Sequence, residues 1–400
     1  NGEKVYRLLY MMTGVHDMIR FATAKDTDQI IDLWTSCFND SPEFVDFYFT
    51  KCYKPENTLT VFEGSKLCSC LQLRPYRILL RDRYYTAYYI VGVATWPEYR
   101  GRGHVRELIR QTGVVMKERD VYLSVLLPFQ YEFYRKFGWE VCYDKLVYTD
   151  LKLQLPEDMP EGRYVRISSA IDHADLNMCY SQYMLRYNGF IARDEAGWYQ
   201  IIRDAELENG ACYIYNENDL TSGYIIYSKT VDKLIIKELA YINPSAKNAL
   251  LKLAVSLADQ TQQILWNAPI SDITYVSMKD PRNTLLKQNH VMGRIHDIRN
   301  ALSGLPMADE SLILKITDPI YEENNRCFLI SGTDGSSTVT TTSAEPDAEL
   351  GIQVLNQLFW GYIPVSSAVS EGLIKIYKAT VSDKLDALFP LQTNYIYEEY

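Results

Sequence analysis

Apolar positions along the chain recur first with a period of two and then with a period near 3.6, and the switch is made more than once. Ile19, Phe21 and Thr23 predict a short strand, after which Asp26 or Thr27 caps a helix carrying Ile30, Ile31, Trp34, Cys37 and Phe38 at helical spacing. Residues 59–63, 66–76, 77–81 and 84–95 read as three or four antiparallel strands separated by Gly64 or by polar turns. Past Thr95 and Pro97 a glycine-rich loop opens an apolar-periodic helix running from Val105 through Leu108, Ile109 and Val115 to Met116. Residues 121–127 predict a strand ended by Pro128, and 129–137 a short aromatic helix stopped by Gly138, the residue that tolerates a left-handed cap. Residues 139–151 return to strand.

The order then repeats in diverged form. Tyr164-Val165-Arg166-Ile167 echoes Met18-Ile19-Arg20-Phe21, residues 172–184 echo the first helix, and strands near 211–215, 223–228 and 233–242 echo the β-rich run. At the second strand-to-helix junction, residues 240–247, there is no glycine, so this copy has no phosphate loop. Residues 289–400 match neither copy. They predict strands at 312–316, 326–331 and 337–342 and a helix at 347–358, with Gly332-Thr333-Asp334-Gly335 making a hairpin of the Ser/Thr-rich stretch 336–343. The chain therefore divides into an extension at 1–17, units at 18–151 and 152–288, and a third unit at 289–400. The extension neither begins with Met nor carries the apolar core and cleavage site of a secretory signal.

Composition narrows the function classes. The 400 residues carry 41 Lys+Arg against 51 Asp+Glu, a formal charge of −10, which is the opposite of a nucleic-acid footprint. Residues 301–400 alone hold 14 acidic and 5 basic side chains, so the imbalance sits in the last quarter, as a solvated acidic face or a funnel for cations. No apolar run approaches the eighteen or so residues that span a bilayer. Eight cysteines without CxxC spacing indicate neither a disulfide framework nor a zinc ribbon, and five dispersed histidines show no metal spacing, so a cytoplasmic, metal-free protein is expected. The 32 tyrosines read as sheet and interface surface, with buried rings and wet tips. No P-loop or G-x-S-x-G elbow is present.

The segment with chemical content is Val93-Ala94-Thr95-Trp96-Pro97-Glu98-Tyr99-Arg100-Gly101-Arg102-Gly103-His104-Val105-Arg106. A strand ends, two glycines turn the chain and a helix starts, so that consecutive N–H groups and the helix dipole face one point, as a pyrophosphate requires. In this context the segment resembles the acetyl-CoA signature of the GNAT N-acetyltransferases, Q/R-x-x-G-x-G/A, with Arg100 and Gly103 in place and Val105 departing at the last position. A GNAT unit, a degenerate second one and a final acidic α+β unit together resemble the Eis-like (enhanced intracellular survival) acetyltransferases, whose third domain is similar to sterol carrier protein. Phe133-Tyr134-Arg135-Lys136-Phe137-Gly138 is similar to that family's F-Y-x-x-F-G motif, and residues 290–301 to its entry into the third domain.

The resemblance implies an α/β (α+β) fold of tandem GNAT-like domains followed by a sterol-carrier-like domain, assembled as a homo-oligomer, possibly a hexamer. It also implies direct acetyl transfer from acetyl-CoA to an amine of an aminoglycoside-like molecule, a polyamine or a peptide lysine. Tyr134 would be the acid that protonates the departing thiolate, and the chain-terminal carboxylate of Tyr400 the base. Val93, Ala94 and Thr95 would pair through their backbone with the pantetheine arm; Arg100, Gly101, Arg102, Gly103, His104, Val105 and Arg106 would hold the pyrophosphate; Phe129 and Gln130 would form a second contact to acetyl-CoA. Trp34, Phe38 and Glu399, with Glu398, are candidates for an amine pocket, although Trp34 and Phe38 equally suit a core and the glutamates a solvated tail. The competing reading is a non-catalytic CoA- or lipid-binding interaction module.

Overall fold

A computed structural model of the protein describes residues 17–151, 162–170, 173–258, 263–278, 280–282 and 284–399. The expected extension lies outside them except for Asp17. Three sheets organise the described residues. The first runs in the order Asp17–Phe21, Thr58–Glu63, Lys66–Leu80, Arg83–Thr95, Leu123–Leu126, Met292–Ile295, Glu140–Val141, with Phe190–Ile191 added alongside Lys66–Leu80. The two strands expected at 66–76 and 77–81 are one. Pro75 interrupts nothing because it lies between the reach of Thr58–Glu63, which stops at Gln72, and that of Phe190–Ile191, which starts at Ile78, so its missing N–H is not needed. The strand returns through Arg81 and Asp82, both left-handed at φ 53° and 59°, as a two-residue hairpin demands. The helices Thr27–Cys37 and His104–Glu118 fall where the periodicity places them.

The strand expected at 139–151 is broken in two. The N–H groups of Cys142 and Tyr143 both donate to the Val291 carbonyl, at 3.1 and 3.2 Å, which bends the chain out of the first sheet. Asp144–Tyr148 then joins the second sheet, whose order is Leu285–Asn289, Asp144–Tyr148, Gln263–Pro269, Lys233–Tyr241, Leu220–Lys229, Ala211–Glu217, Arg163–Ile167. In exchange Met292–Ile295 enters the first sheet between Leu123–Leu126 and Glu140–Val141. Each of the first two sheets is thus completed by a strand from across a linear border, which ties the two units together.

The second unit's helix Pro244–Leu257 follows its strand as the repeat predicts, but its N-terminus is already occupied. Asn243 caps the Ala246 N–H at 2.8 Å, and Glu217 accepts from the Ser245 hydroxyl at 2.6 Å and from Asn243 Nδ2 at 2.8 Å. A carboxylate stands where a phosphate would have to sit.

The third sheet runs Ser336–Thr342, Cys327–Thr333, Ser311–Thr317, Ala348–Gly351, Ile374–Ile376. Its first two strands are the expected hairpin, turning at Asp334 and Gly335 with φ 52° and 77°. Of the residues read as the start of a helix at 347, Ala348–Gly351 instead form a strand because Ala348 and Leu350 are buried in a parallel pairing with Ser311–Thr317; the helix is Ile352–Phe359. The tyrosines are more deeply placed than wet-tipped surface rings: Tyr89, Tyr143, Tyr148 and Tyr180 are fully buried, with hydroxyls donating to carbonyls or carboxylates. None of the eight cysteines is in a disulfide. Among the described residues no helix is long and apolar enough to cross a membrane.

Candidate active site

Arg83–Thr95 and Leu123–Leu126 run parallel through three residue pairs, the last being Tyr89 opposite Val125. Beyond it the strands part, and among the described residues the edge of 90–95 on that side has no strand partner. A bulge sharpens the divergence: Gln72 faces Val91 while Cys70 faces Ala94, so Gly92 and Val93 both stand against Leu71. Gly92 has φ +60°, and a Cβ there would lie 2.7 Å from the Trp34 ring, so only glycine fits. On its paired side the strand is fixed by Ser69, whose hydroxyl donates to the Ala94 carbonyl at 2.8 Å and lies 2.8 Å from the Thr95 hydroxyl. The free edge can therefore accept an extended polar chain as a sheet accepts a strand.

The loop that follows fits an anion. Gly101 and Gly103 have φ +77° and +88°, and a Cβ on either would meet nothing within 4 Å, so dihedral angle and not crowding requires glycine. Helix His104–Glu118 begins at Gly103 without a side-chain cap, in contrast to Pro244–Leu257, leaving its first-turn N–H groups open. Arg100 and Arg102 brace the loop, donating to the carbonyls of Thr95 at 3.2 Å and Glu98 at 3.0 Å, and Arg102 also stacks on Tyr99. The His104 ring is buried and tilted against Tyr99, so what this residue presents to an anion is its N–H. Val105 is half-buried in the cluster that also contains Val93, and Arg106 is exposed on the first turn.

A cavity of about 640 Å³ opens at the parted strands and brings together Trp34, Phe38, Val93, Phe129, Tyr134 and Glu399 of the expected residues. Phe129 lies exposed at its mouth, packed on Phe133 and Tyr134 with centroids 5.2 and 5.6 Å apart, and Gln130 next to it is exposed. Trp34 belongs to core and cavity together: it is 6% exposed, stacks on Tyr48 at 4.7 Å, and donates its Nε1–H to Asp40 at 2.8 Å. Tyr134, on the short helix Tyr131–Arg135, is buried, and burial raises its phenol above the ordinary value. Its hydroxyl has no hydrogen-bond partner among the described residues. Tyr400, the other expected catalytic residue, lies outside them.

The remaining wall comes from segments with no local signal in the sequence. Asp204 and Glu208, from helix Glu195–Leu207 and the residue after it, face Lys237 of strand Lys233–Tyr241, which lies 3.4 and 2.6 Å from them. The tail enters between the first two sheets. Tyr395 N–H donates to the Asn188 carbonyl at 3.1 Å, and Asn394 receives from Asn188 Nδ2 at 2.6 Å and donates to the Cys142 carbonyl at 2.8 Å. Tyr89, where the strands part, donates to the Glu398 carbonyl at 3.0 Å. Glu398, expected on a solvated tail, is 2% exposed because Arg193 meets it inside. Among the described residues no three His, Cys, Asp or Glu side chains are grouped to hold a metal ion.

Glu399 pairs with Lys145 at 2.7 Å and lies 3.4 Å from His290 Nε2. Partial loss of water pushes its carboxyl up, but the Lys145 ammonium beside it outweighs that and holds it below the usual carboxylate range. His290 is moved down to about 4 by burial, against the pull of Glu399, so it is neutral near pH 7. Between its unfolded pKa of about 6.5 and that lowered value, the unfolded chain binds a proton that the folded chain refuses, so stability must fall as pH falls through this window. The loss should amount to about 2 kcal/mol by roughly pH 4.5. Denaturant titrations of wild type and His290→Asn at about pH 7 and about pH 4.5 should show a smaller acid loss in the variant; parallel losses would remove His290 as the source.

The short helix bearing Tyr134 is held from the third unit. Helix Ile352–Phe359 presents three carboxamides on one face: Gln353 donates to the Arg135 carbonyl at 3.1 Å, Asn356 to that of Gly138 at 2.8 Å, and Gln357 to that of Val141 at 3.1 Å. Arg294 donates to the Phe137 carbonyl through Nη1, and its Nη2 meets both carboxylate oxygens of Asp318 at 2.8 and 2.9 Å, both side chains fully buried.

Comparison with known proteins agrees with this geometry. Residues 18–142 match the model of an acetyltransferase (GNAT) domain, residues 189–295 a second acetyltransferase (GNAT) domain, and residues 298–397 a sterol carrier protein domain. An uncharacterized N-acetyltransferase of Streptomyces griseus subsp. griseus is 24% identical over 336 residues, covering 75% of this chain and 78% of that protein. A crystal structure of a conserved protein of unknown function from Enterococcus faecalis, a probable N-acyltransferase, superposes with a TM-score of 0.84 at 21% identity, covering 96% of this chain and all of the other. That of Eis1 from Mycobacterium abscessus gives 0.74 at 16% identity, again over 96% of this chain and all of the other. The fold is tandem GNAT domains followed by a sterol-carrier-like domain, as expected from the sequence, and the protein is an N-acetyltransferase whose GNAT domain takes acetyl-CoA as cosubstrate.

Proposed function

We propose that the protein is an Eis-like enzyme that acetylates a cationic amine by direct attack, with residues 18–151 as the catalytic unit, 152–288 as a degenerate copy and 289–400 as the sterol-carrier-like unit. The observation that carries the reading is that the unpaired strand edge, Tyr134 and the acidic tail meet in one cavity. Acetyl-CoA supplies a thioester whose thiol must be protonated as it leaves. Residues 93–95 align the pantetheine arm through their main chain, and the open N–H groups after Gly103 hold the pyrophosphate, with Phe129 covering the mouth. Asp40, Asp204, Glu208 and Glu399 outnumber Lys145 and Lys237 on the wall and draw in a protonated amine. Burial beside Val93 weakens the hydration of that amine, so its proton is lost more easily to solvent at the cavity mouth before attack. Tyr134, kept protonated by burial, delivers a proton to the thiolate.

Thiol release from acetyl-CoA, measured with polyamines, aminoglycosides and lysine-containing peptides, tests this. Release with a cationic acceptor, to an extent matching acetylated product, is the expected result. Binding of acetyl-CoA without release from any acceptor would overturn it in favour of a binding module.

A further inference from the structure

A chain of buried hydrogen bonds runs from the turn that carries Tyr134 to the helix that opens after Gly103, and it passes through the third unit. The Trp139 indole donates its Nε1–H to Ser124 Oγ at 3.1 Å, Ser124 Oγ lies 2.7 Å from His296 Nε2, His296 Nδ1 lies 3.1 Å from the Tyr321 hydroxyl, and that hydroxyl donates to the Ile109 carbonyl at 2.8 Å. All four side chains are buried. Chemistry assigns each proton. A carbonyl only accepts, so the Tyr321 proton goes to Ile109 and the phenol oxygen must accept from His296 Nδ1–H. Burial and the Arg294 guanidinium hold His296 well below its ordinary pKa, so the ring is neutral, Nε2 carries no proton and Ser124 donates to it. Every bond thus points the same way, from Trp139 to the helix, an order in which each bond strengthens the next.

Each part of the chain touches the transfer site. Trp139 donates its main-chain N–H to the Tyr134 carbonyl at 3.3 Å and packs edge to face against the phenol, with centroids 6.4 Å apart. Ser124 stands opposite Tyr88, one pair before the last that the two strands make. Ile109 is in the second turn of His104–Glu118, the helix whose open N-terminus takes the pyrophosphate in the reading above. That helix makes room for the contact: Gly113 is its one glycine, and a Cβ there would lie 2.3 Å from Tyr321 Cε1. Glycine weakens a helix interior, so the residue answers to the ring and not to the helix. Tyr321 is itself fixed, its N–H donating to Asp318 Oδ1 at 3.1 Å and the Arg294 guanidinium lying 4.6 Å from its ring centre. Cohesion between the units does not need such a chain, because apolar groups of the same shape can replace both partners of a buried hydrogen bond with little loss. What directional bonds add is registration. Resting on the reading of Tyr134 as the acid, we propose that His296 and Tyr321 are positioning residues of the transfer, holding the cofactor helix, and with it the thioester, in register with Tyr134 through Ser124 and Trp139.

The test uses Tyr321→Phe, which removes the hydroxyl and keeps the ring against Gly113, and Ser124→Ala, which opens the chain from the first unit and leaves the bond to Ile109 in place. A misplacement of about 1 Å can cost about 10²-fold, so a partial loosening predicts that kcat with spermidine at saturating acetyl-CoA falls about tenfold in either variant, with KM for spermidine within about twofold. By titration calorimetry, CoA should bind Tyr321→Phe about threefold to tenfold more weakly, the worth of one neutral hydrogen bond, and Ser124→Ala within about twofold of wild type, since only the first substitution frees the helix. A smaller folded fraction lowers kcat without moving a dissociation constant, so a merely structural role does not produce that shift. The calorimetry also needs no turnover: if Tyr134→Phe proves fully active the reading of the acid fails, while weakened CoA binding in Tyr321→Phe still upholds the registration of the helix. Should Tyr321→Phe not fold, the kcat of Ser124→Ala decides alone. Unaltered CoA binding in Tyr321→Phe, or a kcat per folded molecule within about twofold of wild type in both variants, would make the chain a structural tie and overturn the proposal.

Discussion

Tyr134→Phe should lower kcat by roughly 10²–10⁴-fold, the range expected for loss of a positioned general acid, while KM for acetyl-CoA stays within about twofold. The variant deletes one oxygen that has no hydrogen-bond partner among the described residues, and it preserves a ring packed against Phe129, Phe133 and Trp139. The fold should be indifferent to the change, which makes the kinetic loss interpretable. The direction of the pKa shift limits what the phenol can do. Burial raises the phenol, so at neutral pH it holds its proton and can act as an acid and not as a base. The alkaline limb of kcat in wild type should accordingly lie above the ordinary phenol value of about 10 or be masked by other events. Stopped-flow thiol release is the measurement; a kcat within about threefold of wild type would remove Tyr134 from the chemistry.

What the sequence carries about this site is what is local in it. The strand, the two glycines and the helix start fall within fourteen consecutive residues, and each is imposed by backbone geometry that a reader of dihedral preferences can recognise. Gly138 is legible for the same reason, whereas Tyr134 is singled out only by the resemblance to the F-Y-x-x-F-G motif. Gly92 had a signal too, since a lone glycine inside a strand pattern marks a bulge or a close approach, and here it marks both. The strand exchange had none. Whether residues 144–148 extend the first sheet or cross to the second is decided by the carbonyl of Val291, nearly 150 positions away, taking two N–H groups at once. The acidic wall is equally non-local, because helix Glu195–Leu207 belongs to the second unit and meets the first only after folding. Glu398 shows the limit most plainly: a glutamate two residues from the last one reads as solvated until Arg193 and Glu238 are known to lie beneath it.

Gly138→Ala should unfold a large fraction of the protein, since the position is required both by the turn and by what lies against it. Gly138 has φ +89°, and a Cβ there would lie 1.4 Å from Arg294 Nη1 and 2.6 Å from its Cζ. The left-handed conformation costs a non-glycine residue about 1–2 kcal/mol. Displacing Arg294 is worse, because Asp318 would be left charged and buried without its cation, held only by the neutral donors of Ile320, Tyr321 and Asn324, a loss of roughly 3–5 kcal/mol against a total stability of about 5–15. A folding defect alone would not show that the third unit serves catalysis. Gln353→Ala separates the two, since its bond to the Arg135 carbonyl is exposed and its removal should cost well under about 1 kcal/mol. That carbonyl closes the turn that carries Tyr134, so the variant should melt with wild type and still lose kcat about threefold to tenfold, with acetyl-CoA affinity unchanged. Coupling to Tyr134→Phe decides the matter: if Gln353 acts by aiming the phenol, its removal has nothing further to take once the hydroxyl is gone. Additive losses in the double variant would instead confine the carboxamide row of Ile352–Phe359 to holding the domains together.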